Sequence, residues 1–211
     1  RLDWRTSPVD LSFLNAAEKP AGKRGFVKAV GDQLMFADNT PIRFWGTNLS
    51  AYSLFKSPDD EIRQQAKRLS ALGFNLVRLH HHDSPWVSPN VFGDGTLVRD
   101  TQQLSTESLR KLDLWIKSLK DEGIYIWLDM HVQRAFTAND NIEDFKELPE
   151  KDGRVDLKGY AYVNDSIQQA MKRFAEQYLT HVNEYTGLAY KDDPAIACLL
   201  YTSDAADERS S

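Results

Sequence analysis

Two short strings place polar, chemistry-bearing side chains at the ends of apolar runs: Val77-Arg78-Leu79-His80-His81-His82-Asp83 and Trp127-Leu128-Asp129-Met130-His131. Side chains alternate along a strand, so Arg78, His80 and His82 are expected on one face, with Val77, Leu79 and His81 on the other. A charged arginine inside an apolar strand is costly unless an acceptor meets it, which predicts an acidic partner for Arg78 near the strand's end. An isolated arginine would read as a structural salt bridge under the loops; the neighbouring histidines turn the reading towards an active site. His80 and His82, at i and i+2, could also converge on a metal ion. Two further ligands of suitable spacing are lacking, and Arg78 on the same face would repel a cation. The hydrogen-bonding cluster is therefore the stronger reading, and no metal site is assigned.

In the second string Asp129 and His131 are expected to share a face with Trp127, where the carboxylate could orient the imidazole or simply cap the following loop. Trp45, Trp86 and Trp127 are candidate sugar platforms, because an aromatic ring stacks on the apolar face of a pyranose, although core packing explains most tryptophans. Trp86 stands out: it follows Pro85 in a polar loop, where burial in a core is harder.

Residues 1–24 are polar, carry Pro8, Pro20 and Gly22, and read as an irregular lead-in. Short β-prone runs at 25–30, 33–36 and 42–45 form a meander broken by Gly31-Asp32 and Ala37-Asp38-Asn39-Thr40. Strand and helix then alternate. A strand at 44–49 leads to a helix over 59–72, a strand at 75–80 and a helix capped by Ser105 or Thr106. The apolar run 124–130 suits a parallel strand buried on both faces, and a helix over 165–185 would bury Ile167, Met171, Phe174, Tyr178 and Val182. A fourth strand follows at 195–200. This β-α-β-α-β-α-β order predicts an α/β fold with a parallel sheet and right-handed crossovers. The connections after strands are much longer than those after helices, and long loops at the carboxyl ends of parallel strands are where such folds build their sites.

Composition narrows the function. The chain has 26 Lys plus Arg against 31 Asp plus Glu, a net charge of −5, and no basic cluster, which argues against nucleic acid as a partner. Its longest apolar runs fall short of a membrane-spanning helix. The single cysteine excludes an internal disulfide framework. Glycine-rich phosphate loops and a G-x-S-x-G elbow are absent, so nucleotide binding and serine-elbow hydrolysis lack support. No charged-then-apolar leader is present in the sequence, and the compartment stays open.

The residues also carry a family resemblance. Phe36-Ala37-Asp38-Asn39-Thr40-Pro41 before Phe44-Trp45-Gly46-Thr47-Asn48, then Gly73-Phe74-Asn75-Leu76-Val77-Arg78, then Ile126-Trp127-Leu128-Asp129-Met130-His131, together resemble cellulase-like glycoside hydrolases of family 5 and their clan relatives, over roughly residues 25–200. The resemblance implies a (β/α)8 TIM barrel, without cofactor, that hydrolyses β-glycosidic bonds of oligo- or polysaccharides with retention through two glutamates about 5–5.5 Å apart. Carried over by motif, Arg78 matches the strand-two arginine that orients the nucleophile and His131 the strand-three histidine lining the cleavage position. Asn48, His80, His82, Trp86 and Asp129 are the substrate-binding candidates. The acid/base glutamate should follow an asparagine at the end of strand four, with the nucleophile on strand seven.

At that position the sequence instead runs Cys198-Leu199-Leu200-Tyr201-Thr202-Ser203-Asp204-Ala205-Ala206-Asp207-Glu208, which looks like an in-frame translation of a sequencing adapter. The expectation is a truncated barrel of about four βα units behind a β meander, with 201–211 non-native and the chain itself inactive. Glu208 has nothing to place it at a strand end. Two alternatives stand beside this: a metal-dependent barrel hydrolase using His80 and His82, and a barrel that binds carbohydrate without cleaving it.

Overall fold

Three short strands open the ordered part of the chain: β1 (Lys28–Val30), β2 (Gln33–Met35) and β3 (Pro41–Ile42), an antiparallel meander in that order. A computed structural model describes residues 9–95, 97, 99–148, 153–156 and 159–202, with Tyr201 and Thr202 described by backbone alone. After the meander come β4 (Gly46–Ser50), α1 (Ala51–Lys56), α2 (Asp59–Ala71), β5 (Leu76–His80), α3 (Thr106–Asp121) and β6 (Tyr125–His131). The chain continues through β7 (Ala135–Phe136), β8 (Val155–Asp156), α4 (Asp165–Thr180) and β9 (Ile196–Thr202).

The four long strands form one parallel sheet in the order β4-β5-β6-β9, so each crossover places the next strand beside the last. Register sorts the side chains into two faces. Leu49, Leu79, Leu128 and Leu199 make one row, with Thr47, Val77, Ile126 and Ile196 beneath it. Val77, Leu79, Ile126 and Leu128 are fully buried and belong to the main core, together with Ile62 and Ala66 of α2, Leu112, Trp115, Ile116 and Leu119 of α3, and Phe174 and Tyr178 of α4. Burying such side chains contributes roughly 1.5–3 kcal/mol each, which makes this layer the main source of stability. The opposite face carries Asn48, Arg78, Trp127 and Cys198 in one row, and Ser50 opposite His80 in the next.

Local chemistry accounts for the helices. Asp59, Asp60 and Glu61 occupy the first turn of α2, where the helix dipole favours negative charge. Ser105 caps α3 by accepting the Ser108 N–H at 3.3 Å, and Asn164 caps α4 by accepting the Ile167 N–H at 3.0 Å. Gly123, at φ +74°, ends the α3 turn; a Cβ there would lie 2.7 Å from the Asn15 carbonyl oxygen.

Several expectations shift. Within the segment read as an irregular lead-in, Ser12–Glu18 forms a 3-10 helix with Asn15 buried, its amide donating to the Phe74 carbonyl at 2.8 Å. At the amino ends of the strands, Phe36 and Phe44 pack on the ring of Tyr125, at 5.5 and 5.7 Å between centroids. The helix expected to reach 185 stops at Thr180, and Val182, expected on its buried side, is 55% exposed. The reason is a competing set of hydrogen bonds: His181, Asn183, Glu184 and Tyr190 all reach Asp113 of α3, which pulls the chain out of the helix. The polar stretch after β6 holds the β7–β8 ladder, and Phe136 with Ile142, Ile167, Ala170 and Met171 forms a second small core. Residues 1–8 and 203–211, the latter including Glu208, lie outside the described residues.

Candidate active site

Strand alternation delivers Arg78 and His80 of β5 and Asp129 of β6 to one spot on the open face, near the carboxyl ends of the strands. The Arg78 Nε donates to both oxygens of Asp129 at 3.0 Å, and the Nδ1 of His80 lies 2.5 Å from Oδ2. Asp129 is fully buried, while the Arg78 and His80 side chains keep 16% and 14% of their exposure. The acidic partner predicted for Arg78 is thus Asp129. The Arg78 guanidinium also stands 5.5 Å from the Trp127 ring, its neighbour in register. Its Nη2 is buried and meets no acceptor among the described residues. An unsatisfied buried N–H on a charged group calls for an explanation, and an incoming carboxylate would supply one.

The alternation that predicts His82 beside Arg78 breaks at His81. His81 adopts φ +59°, uncommon for a residue with a Cβ. Its ring therefore lies 4.1 Å from His80 instead of turning towards the helices with Leu79. His82 moves the other way: it is fully buried and stacks on Tyr178 of α4 at 5.3 Å and 10°. Burial pushes its pKa down, so the neutral imidazole is the favoured form. The expected shared face of Arg78, His80 and His82 is corrected to Arg78 and His80, with His82 buried against Tyr178.

His131, at the end of β6, is 1% exposed, with its ring 4.9 Å from Phe174 of α4. Burial lowers its pKa to about 4, partly opposed by nearby Asp83. Among the described residues no group of three or more His, Cys, Asp or Glu could hold a metal ion.

The remaining candidates divide. Asn48 is exposed, in register with Arg78 on the open face. Trp86 is 46% exposed in the loop after β5, and its Nε1 donates to the Gln133 Oε1 at 2.6 Å. Trp45, though 69% exposed, precedes β4 and sits at the opposite end of the sheet from these loops. Cys198 lies in the Arg78 row, and burial raises its thiol pKa.

Sequence reasoning missed the residues that build the loops. Asp83, 1% exposed, accepts the backbone N–H groups of Val132 and Gln133 at 2.9 and 3.0 Å and fixes the exit of β6. Arg134, 2% exposed, donates to Thr101 and to the Ala170 carbonyl, and is surrounded by Phe92, Phe136 and Phe174 at 4.6–5.7 Å. Burial lowers its pKa to about 10. The clue was an arginine flanked by Ala135 and Phe136 in an otherwise polar loop.

Comparison with known proteins identifies the fold and the family. The endo-1,4-β-mannanase from Rhizomucor miehei superposes with a TM-score of 0.62 at 21% identity, over 85% of this chain and 48% of that one. A glycoside hydrolase family 5 mannosidase from the same organism gives 0.62 at 16% identity, over 85% and 48%. The endo-β-1,4-mannanase from Thermotoga petrophila gives 0.51 at 18% identity, over 77% and 35%. At these identities the likeness establishes the fold: the four parallel strands and their helices are consecutive units of a (β/α)8 barrel. The chain spans about half, or less, of the length of these structures. No curated protein sequence matches it. The family model described as cellulase, glycosyl hydrolase family 5, matches residues 36–191. With most of its length matched, and with the strand-two and strand-three motifs placed on adjacent parallel strands, the chain belongs to the cellulase family of glycosyl hydrolases, family 5.

Proposed function

We propose that this chain is the amino-terminal half of a retaining glycosidase barrel acting on β-linked glycans, and that it supplies the groups that position the reaction without the two carboxylates that perform it. The observation that carries this is the Arg78–Asp129–His80 cluster at the carboxyl ends of adjacent strands, inside the segment matched by the family. Asp129 holds the guanidinium by its Nε and leaves Nη2 for a second acceptor. A carboxylate placed there would be oriented and kept ionised, which is what a glycosidase nucleophile requires. His80, which meets Oδ2 of the same Asp129, completes the cluster, and Asn48 lies in register with Arg78. The reaction needs no cofactor, since protonation of the leaving oxygen and attack at the anomeric carbon are both carboxyl chemistry. The glutamates come from strands four and seven of such a barrel. At strand four this chain has Leu200, Tyr201 and Thr202 within β9 and no Asn-Glu pair.

The test is direct. The purified 211-residue chain, incubated with aryl β-glucosides and aryl β-mannosides, should give no turnover above a blank. Turnover that saturates with substrate would show that carboxylates within this chain suffice, and would overturn the proposal.

A further inference from the structure

Beyond the Arg78 cluster, the segments that follow β4, β5 and β6 meet at one exposed aromatic surface. Tyr52, in the first turn of α1 directly after β4, has its ring 5.8 Å from that of Trp86 in the loop after β5, and both are about half exposed. The indole N–H is held by Gln133, from the loop after β6, at 2.6 Å. That acceptor is rigidly mounted. The Gln133 backbone N–H binds buried Asp83, and the next residue, Arg134, is locked by its bonds to Thr101 and Ala170. On the other side of Trp86, the left-handed backbone of His81 brings its ring edge-on at 5.1 Å and also to within 4.1 Å of His80, which meets Asp129. An unbroken run of contacts therefore joins the Arg78 cluster to the Tyr52–Trp86 surface.

We propose that Tyr52 and Trp86 form a shelf for a pyranose ring of the glycan bound beyond the cleavage position, and that Gln133 is the positioning residue that sets the Trp86 plane. This rests on the glycan reading above. An indole has one polar group and can only donate. Satisfying it at the edge fixes the ring plane, and a ring fixed in this way offers contact area to a sugar at little entropic cost. Strain at a non-glycine residue with positive φ, as at His81, persists where the surroundings impose it and clusters at ligand sites.

Calorimetric titration of the 211-residue chain with β-1,4-linked manno- and gluco-oligosaccharides tests the shelf. Trp86→Ala should raise Kd at least about tenfold, as loss of a central aromatic contact does. Gln133→Leu should raise it roughly 3- to 10-fold, the worth of one hydrogen bond. Gln133→Glu, whose carboxylate still accepts the indole N–H, should stay within about twofold, a rescue that a packing role would not produce. Thermal midpoints of all variants should agree within about 2 °C, since surface substitutions cost little. Unchanged affinity in Gln133→Leu, or a Gln133→Glu variant as weak as it, would overturn the role of Gln133. Binding that survives Trp86→Ala would overturn the shelf while leaving the glycan reading intact. No saturable binding by the unaltered chain up to about 10 mM would sink the glycan reading and the shelf together.

Discussion

Asp129 and Asp113 are both buried carboxylates within hydrogen-bonding reach of a histidine, yet their surroundings differ in a way that separates chemistry from architecture. Asp113 accepts from His181 Nε2 at 2.8 Å, the Tyr190 hydroxyl at 2.7 Å and the Glu184 N–H at 3.2 Å, and all three donors come from the connection between α4 and β9. That cluster closes on itself: it folds one loop against one helix. Asp129 instead joins two neighbouring strands at their carboxyl ends and leaves an Arg78 N–H without an acceptor among the described residues. An Asp–His contact is therefore not diagnostic by itself. What distinguishes a candidate site is the donor left over, the strand end and the partial exposure.

The comparison makes predictions of decreasing size. Asp113→Ala should be the most damaging, about 3–5 kcal/mol in denaturant unfolding, because it strands His181 and Tyr190 and releases residues 181–193. A loss below about 1 kcal/mol would show that the loop has other anchors. Next comes pH. The His131 imidazole, held at about 4 by burial, stays neutral in the fold while the unfolded chain takes up a proton near 6.5. Stability is therefore full above about pH 6.5 and declines as pH falls towards 4, by about 3 kcal/mol at most. Buried His82, shifted in the same direction, adds to the slope. Urea midpoints at pH 7.5 and 4.5, repeated on His131→Leu, should show a shallower decline in the variant.

Asp129→Asn should be milder for the fold than Asp113→Ala, about 1–2 kcal/mol, because the Arg78 and His80 it leaves keep some access to water. If it proved the more destabilising of the two, Asp129 would be a structural anchor and the contrast would collapse. The smallest effect is expected at the helix ends. Ser105→Ala, which removes the α3 cap, should cost about 1 kcal/mol by thermal unfolding with the open face unaffected.

Much of this architecture was legible in residue order. The strands at Leu76–His80 and Tyr125–His131 and the helices before them follow from apolar spacing closed by Gly73 and Gly123. The Arg78–Asp129 pairing was legible as an arginine in need of an acid. Period-two reasoning failed where the backbone left the strand: the left-handed turn at His81 exchanged the faces of His81 and His82, and no residue type there announced it. Elements as short as β7, β8 and α1 carry too few residues for a period, so Tyr52 went unnoticed. Gln133, Asp83 and Arg134 act through contacts across 33 to 50 positions, which local pattern cannot reach.

In the proposed function, the buried Arg78 Nη2 receives a carboxylate from a later strand of the barrel. Extending the chain past Leu200 along the reading frame of its source DNA, and assaying that protein on aryl β-mannosides and β-glucosides with and without Arg78→Ala, tests it most directly. The extended protein should turn over, and Arg78→Ala should lower kcat/KM by roughly 10²- to 10³-fold, comparable to losing one preorganised donor at a reacting centre. Full activity in Arg78→Ala, or no glycosidase activity in a folded extended barrel, would contradict it.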